Sequence, residues 1–364
     1  MTAASATPVS LLLPNRNNEP VLDLFLSRLC EHTSYPNLEL VVVDDGSTDG
    51  SRAVLERWRR SGRLPEMTIV STAALGIVSA LNTGLARVCG EIVVRLDGDA
   101  TIETPGWLPR MLDFHRLHPQ VGVVTGRVVL DDGRLQSAGL DVVSPEGVHD
   151  RGCAITEPVG QRTRDTCVAR LPAAEVPLAA EVAEVDAAIG CCQLFSASLA
   201  REIGGWDRCW SPVWFEDFDF ALSARRLGLK VFYLPDVRIV HRVGMRNPRE
   251  SGRRWESALL SLRRGVGRHA PRGLRAAVAR MARLGELDPE RRALLEHHYA
   301  YFARKWGFDP LNPNMDAVLA RHGHTEVCWA YEPGMRRTGE DIVAAWQART
   351  THSPAEEAEE GKSG

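Results

Sequence analysis

Four short apolar runs in the first hundred residues, spaced by stretches of helical periodicity, constrain this chain more than any other feature. Val9 to Leu13, Leu38 to Val43, Met67 to Val70 and Glu91 to Leu96 read as strands. Val21 to His32 has helical spacing, with Val21, Leu22, Phe25, Leu26 and Leu29 on one side. A second helix opens at Asp49, its N-cap, and runs to about Gly62; a third covers Leu75 to Cys89. Strands alternating with helices of this length predict βαβ units and a mostly parallel sheet. Such sheets bind ligands beyond the carboxyl ends of their strands, so the residues after each run are the ones to inspect.

Those residues are polar. Pro14-Asn15-Arg16-Asn17 follows the first strand, Asp44-Asp45-Gly46-Ser47-Thr48-Asp49 the second, and Asp97-Gly98-Asp99 the fourth. A dinucleotide-binding sheet would show G-x-G-x-x-G after its first strand and a P-loop protein G-x-x-x-x-G-K-[ST]; neither is present. The triplet Asp97-Gly98-Asp99 sets two carboxylates on a tight turn. Oxygen ligands of that kind suit Mg²⁺ or Mn²⁺, which keep positions open for substrate phosphates. Asp44 and Asp45 are adjacent acids at a sheet rim, so they repel unless donors or a cation face them, and such a carboxylate can accept from a nucleobase or ribose.

The chain from about Thr125 to Asp186 is less regular. Val185 to Phe195 is apolar, Gly204-Gly205-Trp206-Asp207 is a turn, Glu216 to Gly228 a helix and Lys230 to Leu234 a strand. Phe215-Glu216-Asp217-Phe218-Asp219 opens that helix. Acids there favour the helix dipole, and neighbouring acids in a cleft can have their pKa values split, leaving one fit to abstract a proton. His241, just past the last strand, becomes a candidate metal ligand through a ring nitrogen.

The ordered blocks from Val9 to Asn17, Val-Asp-Asp-Gly-Ser-Thr-Asp, Asp-Gly-Asp, Gly-Gly-Trp-Asp, Phe-Glu-Asp-Phe-Asp and a following His resemble the family 2 inverting glycosyltransferases of GT-A fold, with a pattern nearest rhamnosyltransferase-like and galactofuranosyltransferase-like members. The resemblance covers roughly residues 8 to 245. It implies a catalytic domain at 1–245, an α/β nucleotide-sugar-binding mixed sheet flanked by helices, with a nucleotide-sugar half at 8–125 and an acceptor half at 126–245. The residue pattern beyond it reads as a helical C-terminal region at 246–350, with helices at Trp255 to Val266, Leu274 to Leu284, Pro289 to Trp306, Met315 to Arg321 and Gly339 to Arg349, and the small, acidic residues 351–364 as a disordered tail. Asp45 would read the nucleobase with Asp44 beside it, while Pro14 and Asn17 line the nucleotide pocket and Asp97 lies near the ribose and diphosphate. Asp99 and His241 would hold Mn²⁺ or Mg²⁺. Asp217 would be the general base, and Glu216, Trp206 and Asp207 would lie toward the donor and acceptor sugars, with Trp206 able to stack on a sugar face. Ala100 departs from the pattern, since the family often has another acid there.

The expected activity is metal-dependent transfer of a sugar, with inversion, from a UDP-, dTDP- or GDP-sugar to a hydroxyl of a glycan, lipid-linked or natural-product acceptor. A sugar nucleotidyltransferase would show a Gly-rich, Arg-containing loop after the first strand, which Pro14 to Asn18 is not. A non-catalytic binding protein of the same fold would have lost Asp99, Asp217 or His241, and all three are present.

The net charge of −3 gives no general attraction to nucleic acid. The stretch from Arg242 to Arg292 is nonetheless rich in arginine; a basic amphipathic helix there would either pack on the core or lie on an anionic membrane. No apolar run reaches the roughly 18 residues of a spanning helix, and residues 1–8 lack the features of a signal peptide. The expected location is the cytoplasm, at the inner membrane face if the basic helices touch lipid. Eight scattered cysteines without a C-x-x-C pair read as core residues or free thiols.

Overall fold

The computed structural model describes residues 6–64, 66–143, 147–150, 177–242, 289–306 and 340–351. The elements of the first half are β1 (Val9–Asn15), α1 (Glu19–His32), β2 (Leu38–Asp45), α2 (Ser51–Ser61), β3 (Glu66–Thr72), α3 (Ile77–Leu85), β4 (Ile92–Leu96), β5 (Ala100–Ile102), α4 (Trp107–Leu117) and β6 (Val121–Leu130). Then come β7 (Leu135–Ser137), β8 (Leu140–Val143), β9 (Gly147–Asp150), β10 (Ala183–Val185), β11 (Cys192–Ser196), α5 (Ala197–Ile203), α6 (Glu216–Arg226), β12 (Lys230–His241), α7 (Pro289–Trp306) and α8 (Glu340–Thr351).

One mixed sheet runs in the order β10-β12-β6-β11-β4-β1-β2-β3, with β5 on β12 and β7 on β6. Strands β4, β1, β2 and β3 are mutually parallel, and β11 runs antiparallel between β4 and β6. Because both faces of this sheet are covered, the strands read as continuous apolar runs rather than alternating ones. In β1, Leu11 and Leu13 pack on one side with Phe25, Trp107 and Phe114. Leu12 joins Val43, Trp206, Phe220, Phe302 and Trp306 on the other. Burying one such side chain contributes about 1.5–3 kcal/mol.

Two strands differ from the sequence reading in ways that shape the site. The apolar stretch Val185 to Phe195 splits into β10 and β11 around a loop, because Asp186 and Gly190 break the strand pattern. The strand opening at Lys230 continues past Pro235 to His241. Proline cannot donate to the ladder, so the register slips between Leu234 and Arg238 and pairing with β6 then resumes. Asp49 caps from one position further out than expected. Its carboxylate accepts the N–H of Ser51, at 2.9 Å, and also that of Glu19 at the start of α1, at 3.0 Å.

No helix among the described residues is long and apolar enough to cross a membrane. The helices expected at Trp255 to Val266, Leu274 to Leu284 and Met315 to Arg321 lie outside the described residues, as does nearly all of the stretch that raised membrane contact. The expected tail does too, apart from Thr351.

Candidate functional site

Parallel pairing brings the ends of β1, β2 and β4 to one edge, where Asn15 lies in register with Asp44. A cleft of about 570 Å³ opens there, lined among others by Pro14, Arg16, Asp45, Gly76, Asp97 and Pro212. The carboxylate of Asp45 accepts the Thr72 hydroxyl at 2.6 Å and the backbone N–H groups of Leu75 and Gly76 at 2.8 and 2.7 Å. The Arg16 guanidinium stands 3.9 Å away, so a ring of donors relieves the repulsion between the adjacent acids.

The other two rim residues named from sequence turn inward. Asp44 accepts from the Asn15 side chain at 3.0 Å and from the Ser47 hydroxyl. Asn17, with φ of 52°, accepts the Thr48 N–H at 2.7 Å. Both shape the loops that frame the cleft and are absent from its lining, where Arg16 and Asn18 stand instead.

Antiparallel pairing of β5 with β12 sets His241 opposite Ala100, which carries its ring to Asp99. Nε2 lies 3.4 Å from the buried Asp99 carboxylate, and Nδ1 lies 2.8 Å from the Gln136 side chain on β7. Burial works against a charge on His241. Neighbouring Cys191 and Asp99 outweigh it, and the imidazole is pushed up to about 11. A divalent cation held by this histidine–carboxylate pair would displace the ring proton between them. Among the described residues no three metal-ligating side chains form a cage. A hard cation here would thus take Asp99 and His241 from the protein and leave its remaining positions to phosphate and water, which is how Mg²⁺ is commonly held.

The acidic start of α6 lies beside β4 and the loop before β11. Trp214 and Phe215 precede it with φ of 82° and 68°. Left-handed backbone at two bulky residues is costly and gathers at functional sites. Asp217, partly exposed, accepts the Gly190 N–H at 2.6 Å. Burial, followed by the charge of Glu216, pushes its carboxyl up to about 7. Glu216 itself is buried, and its Oε1 sits 2.8 Å from a guanidinium nitrogen of Arg95.

The three residues expected to face the sugars are each engaged by other side chains of the fold. Trp206 is 1 % exposed, stacked on Phe220 with centroids 5.1 Å apart and edge-on to Phe195. Its backbone is clamped to α3 by Asn82, which accepts the Trp206 N–H at 2.9 Å and donates to its carbonyl at 2.7 Å. Asp207 accepts from Tyr301 and Lys305 of α7, both at 2.7 Å. Glu216 is engaged by Arg95. Aromatic packing, a helix arriving from far along the chain and a buried cation supply these partners.

Arg95, Gln136 and Lys305 escaped the sequence reading. Only Arg95 carried a usable sign, a charge inside an otherwise apolar strand two residues before Asp97.

The sequence itself matches known proteins. Residues 10–151 match the family described as Glycosyl transferase family 2. An uncharacterised protein, y4gI, of Sinorhizobium fredii is 28% identical over 235 residues, covering 64% of this chain and 24% of the relative. The O-antigen biosynthesis protein RfbC of Myxococcus xanthus is 23% identical over 240 residues, again 64% of this chain but 17% of the relative. The chain thus spans a quarter or less of the length of these curated relatives. A solved structure of GalNAc-T7 with UDP, GalNAc and Mn²⁺ superposes with a TM-score of 0.50 at 14% identity, covering 66% of this chain and 44% of that one. The architecture is that of the GT-A fold, and residues 10–151 are similar to family 2 glycosyltransferases.

Proposed function

We propose that the protein transfers a sugar from a nucleotide-sugar donor to an acceptor hydroxyl, with inversion at the anomeric carbon and with Asp217 as general base. The observation that carries the reading is the setting of Asp217: partly exposed, fixed by the Gly190 N–H, and beside the buried Glu216 at the start of α6, where burial and the neighbouring acid raise its carboxyl. A base with a pKa near working pH is the most effective kind.

The donor nucleotide fits the cleft between Asp45 and Asp97, where the remaining accepting capacity of Asp45 suits a base N–H. Asp217 takes the proton of the acceptor hydroxyl as its oxygen bonds to the anomeric carbon. The bond from that carbon to the diphosphate breaks on the opposite face, and the nucleoside diphosphate leaves with the electron pair. Asp99 and His241 would hold Mn²⁺ or Mg²⁺, which when bound neutralises charge on the diphosphate. UDP-, dTDP- and GDP-sugars are the donors to try.

Binding and slow hydrolysis of a nucleotide-sugar panel, with Mn²⁺ or with EDTA, test this on wild type and Asp99→Ala. Metal-dependent engagement of one donor, lost in the variant, is the expected result. Failure of folded wild type to engage any donor would sink the proposal in favour of a non-catalytic role.

A further inference from the structure

Arg95 is the least economical residue of the site in stability terms. It is 1 % exposed, inside a buried strand. One guanidinium nitrogen, Nη2, lies 2.8 Å from Glu216 and 3.5 Å from Asp97, while Nε and Nη1 have no hydrogen-bond partner among the described residues. Buried guanidinium groups are normally saturated with acceptors. A buried ion pair left partly unsatisfied is poor value for stability alone, so its presence points to the chemistry above it.

The surroundings are shaped around it. A β-carbon at Gly190 would lie 2.2 Å from Nη2, so glycine there leaves the space that the guanidinium fills. The same Gly190 gives its N–H to Asp217. Across the strand pair Gln193, in register with Arg95, donates to the Asp217 carbonyl at 3.2 Å. Arg95 therefore touches one of the two adjacent acids and packs against the residue that holds the other.

We propose that Arg95 is a positioning residue for the base: by fixing Glu216 and bracing Gly190, it turns Asp217 alone toward the acceptor. This rests on the reading of Asp217 as base. The charged groups that face Asp217 are Glu216 and Arg95, and those that face Arg95 are Asp97, Glu216 and Asp217. Removing the guanidinium both frees the carboxylate of Glu216 to swing toward Asp217 and takes away the cation that favours ionised Asp217.

The test compares Arg95→Met, Arg95→Lys and Asp217→Asn, using hydrolysis of whichever donor the panel identifies and titration with its nucleoside diphosphate. Arg95→Met should lower kcat by about 10²-fold, toward the loss expected for a missing base, weaken nucleoside diphosphate binding far less, through the lost Asp97 contact, and move the acid limb of the kcat profile to higher pH. Arg95→Lys should restore part of kcat and return the limb toward wild type. Gly190→Ala, which keeps the charge but pushes the head group aside, should reproduce the kcat loss and stands in if Arg95→Met does not fold. Wild-type kcat in Arg95→Met or in Gly190→Ala, or equal losses of binding and kcat, would overturn the proposal. If Asp217→Asn keeps full activity, the base reading itself falls; if it is inactive while Arg95→Met is active, only the role of Arg95 does.

Discussion

The ammonium of Lys305 lies 2.8 Å from the carboxylate of Asp219, two residues beyond Asp217. The same Lys305 reaches Asp207 at 2.7 Å, and the indole N–H of Trp306 meets Asp219 at 2.8 Å. Helix α7 is thus fastened to the first turn of α6, the turn that carries the proposed base. Lys305→Met would leave the buried Asp219 without its cation. Breaking such a pair typically costs about 3–5 kcal/mol, and the partial exposure of Lys305 places this case at about 3. Urea unfolding at pH 7 should show the lower midpoint; an unchanged midpoint would mean that α7 is not needed to hold α6.

Trp206 separates a packing role from a sugar-binding role. Its ring is enclosed by Phe195 and Phe220, so Trp206→Ala should destabilise the protein by about 3–5 kcal/mol. Trp206→Phe, which keeps most of the aromatic volume, should retain donor hydrolysis. A folded Trp206→Phe that binds nucleotide normally yet fails to turn over would restore the sugar-facing assignment.

How far the sequence was legible follows from what each residue depends on. Asp45, Asp97 and Asp99 could be placed because a parallel sheet puts strand ends on one edge whatever the packing. His241 could be paired with the acid triplet through the order of motifs, although the β5–β12 register that does the pairing lies beyond sequence periodicity. The packing of Trp206 and Asp207 is not legible in the sequence, because their partners, Phe220, Tyr301 and Lys305, arrive from later elements. The charge of Arg95 is visible in the sequence, but its partner Glu216 arrives 121 residues later, so the pair is not.

Gly76 links the proposed nucleotide cleft to the loop before α6. Its φ is 94°, and a β-carbon there would lie 2.5 Å from the Pro212 carbonyl oxygen, an oxygen that already accepts the Ile77 N–H at 2.8 Å. Gly76→Ala would meet backbone strain of about 1–3 kcal/mol, since its φ of 94° and ψ of 169° suit glycine almost alone, and also push back a backbone that lines the cleft. Nucleoside diphosphate affinity should fall by about tenfold or more, the equivalent of about 1.4 kcal/mol, in protein that still folds. Full affinity would show that the Pro212 segment does not frame the nucleotide.

The pH dependence of Asp217 binds activity and stability in opposite senses. Burial and Glu216 raise its carboxyl from 3.8 to about 7. As a base it works only when ionised, so kcat should fall as pH drops through about 7. For stability the sign is reversed from the usual aspartate: the folded chain holds this proton more tightly than the unfolded chain, so the favourable protonated contribution is complete below about 4 and is lost as pH rises through about 7. Asp217→Asn keeps the side chain neutral at every pH. It should therefore lose donor hydrolysis by about 10²–10⁴-fold while melting at or above the wild-type temperature at pH 8, with the advantage vanishing near pH 4. Thermal melts of both proteins from pH 4 to 8, beside the kcat profile, would check the pair of effects together. A variant less stable than wild type at pH 8 would show that the carboxylate is held for structure rather than for proton transfer.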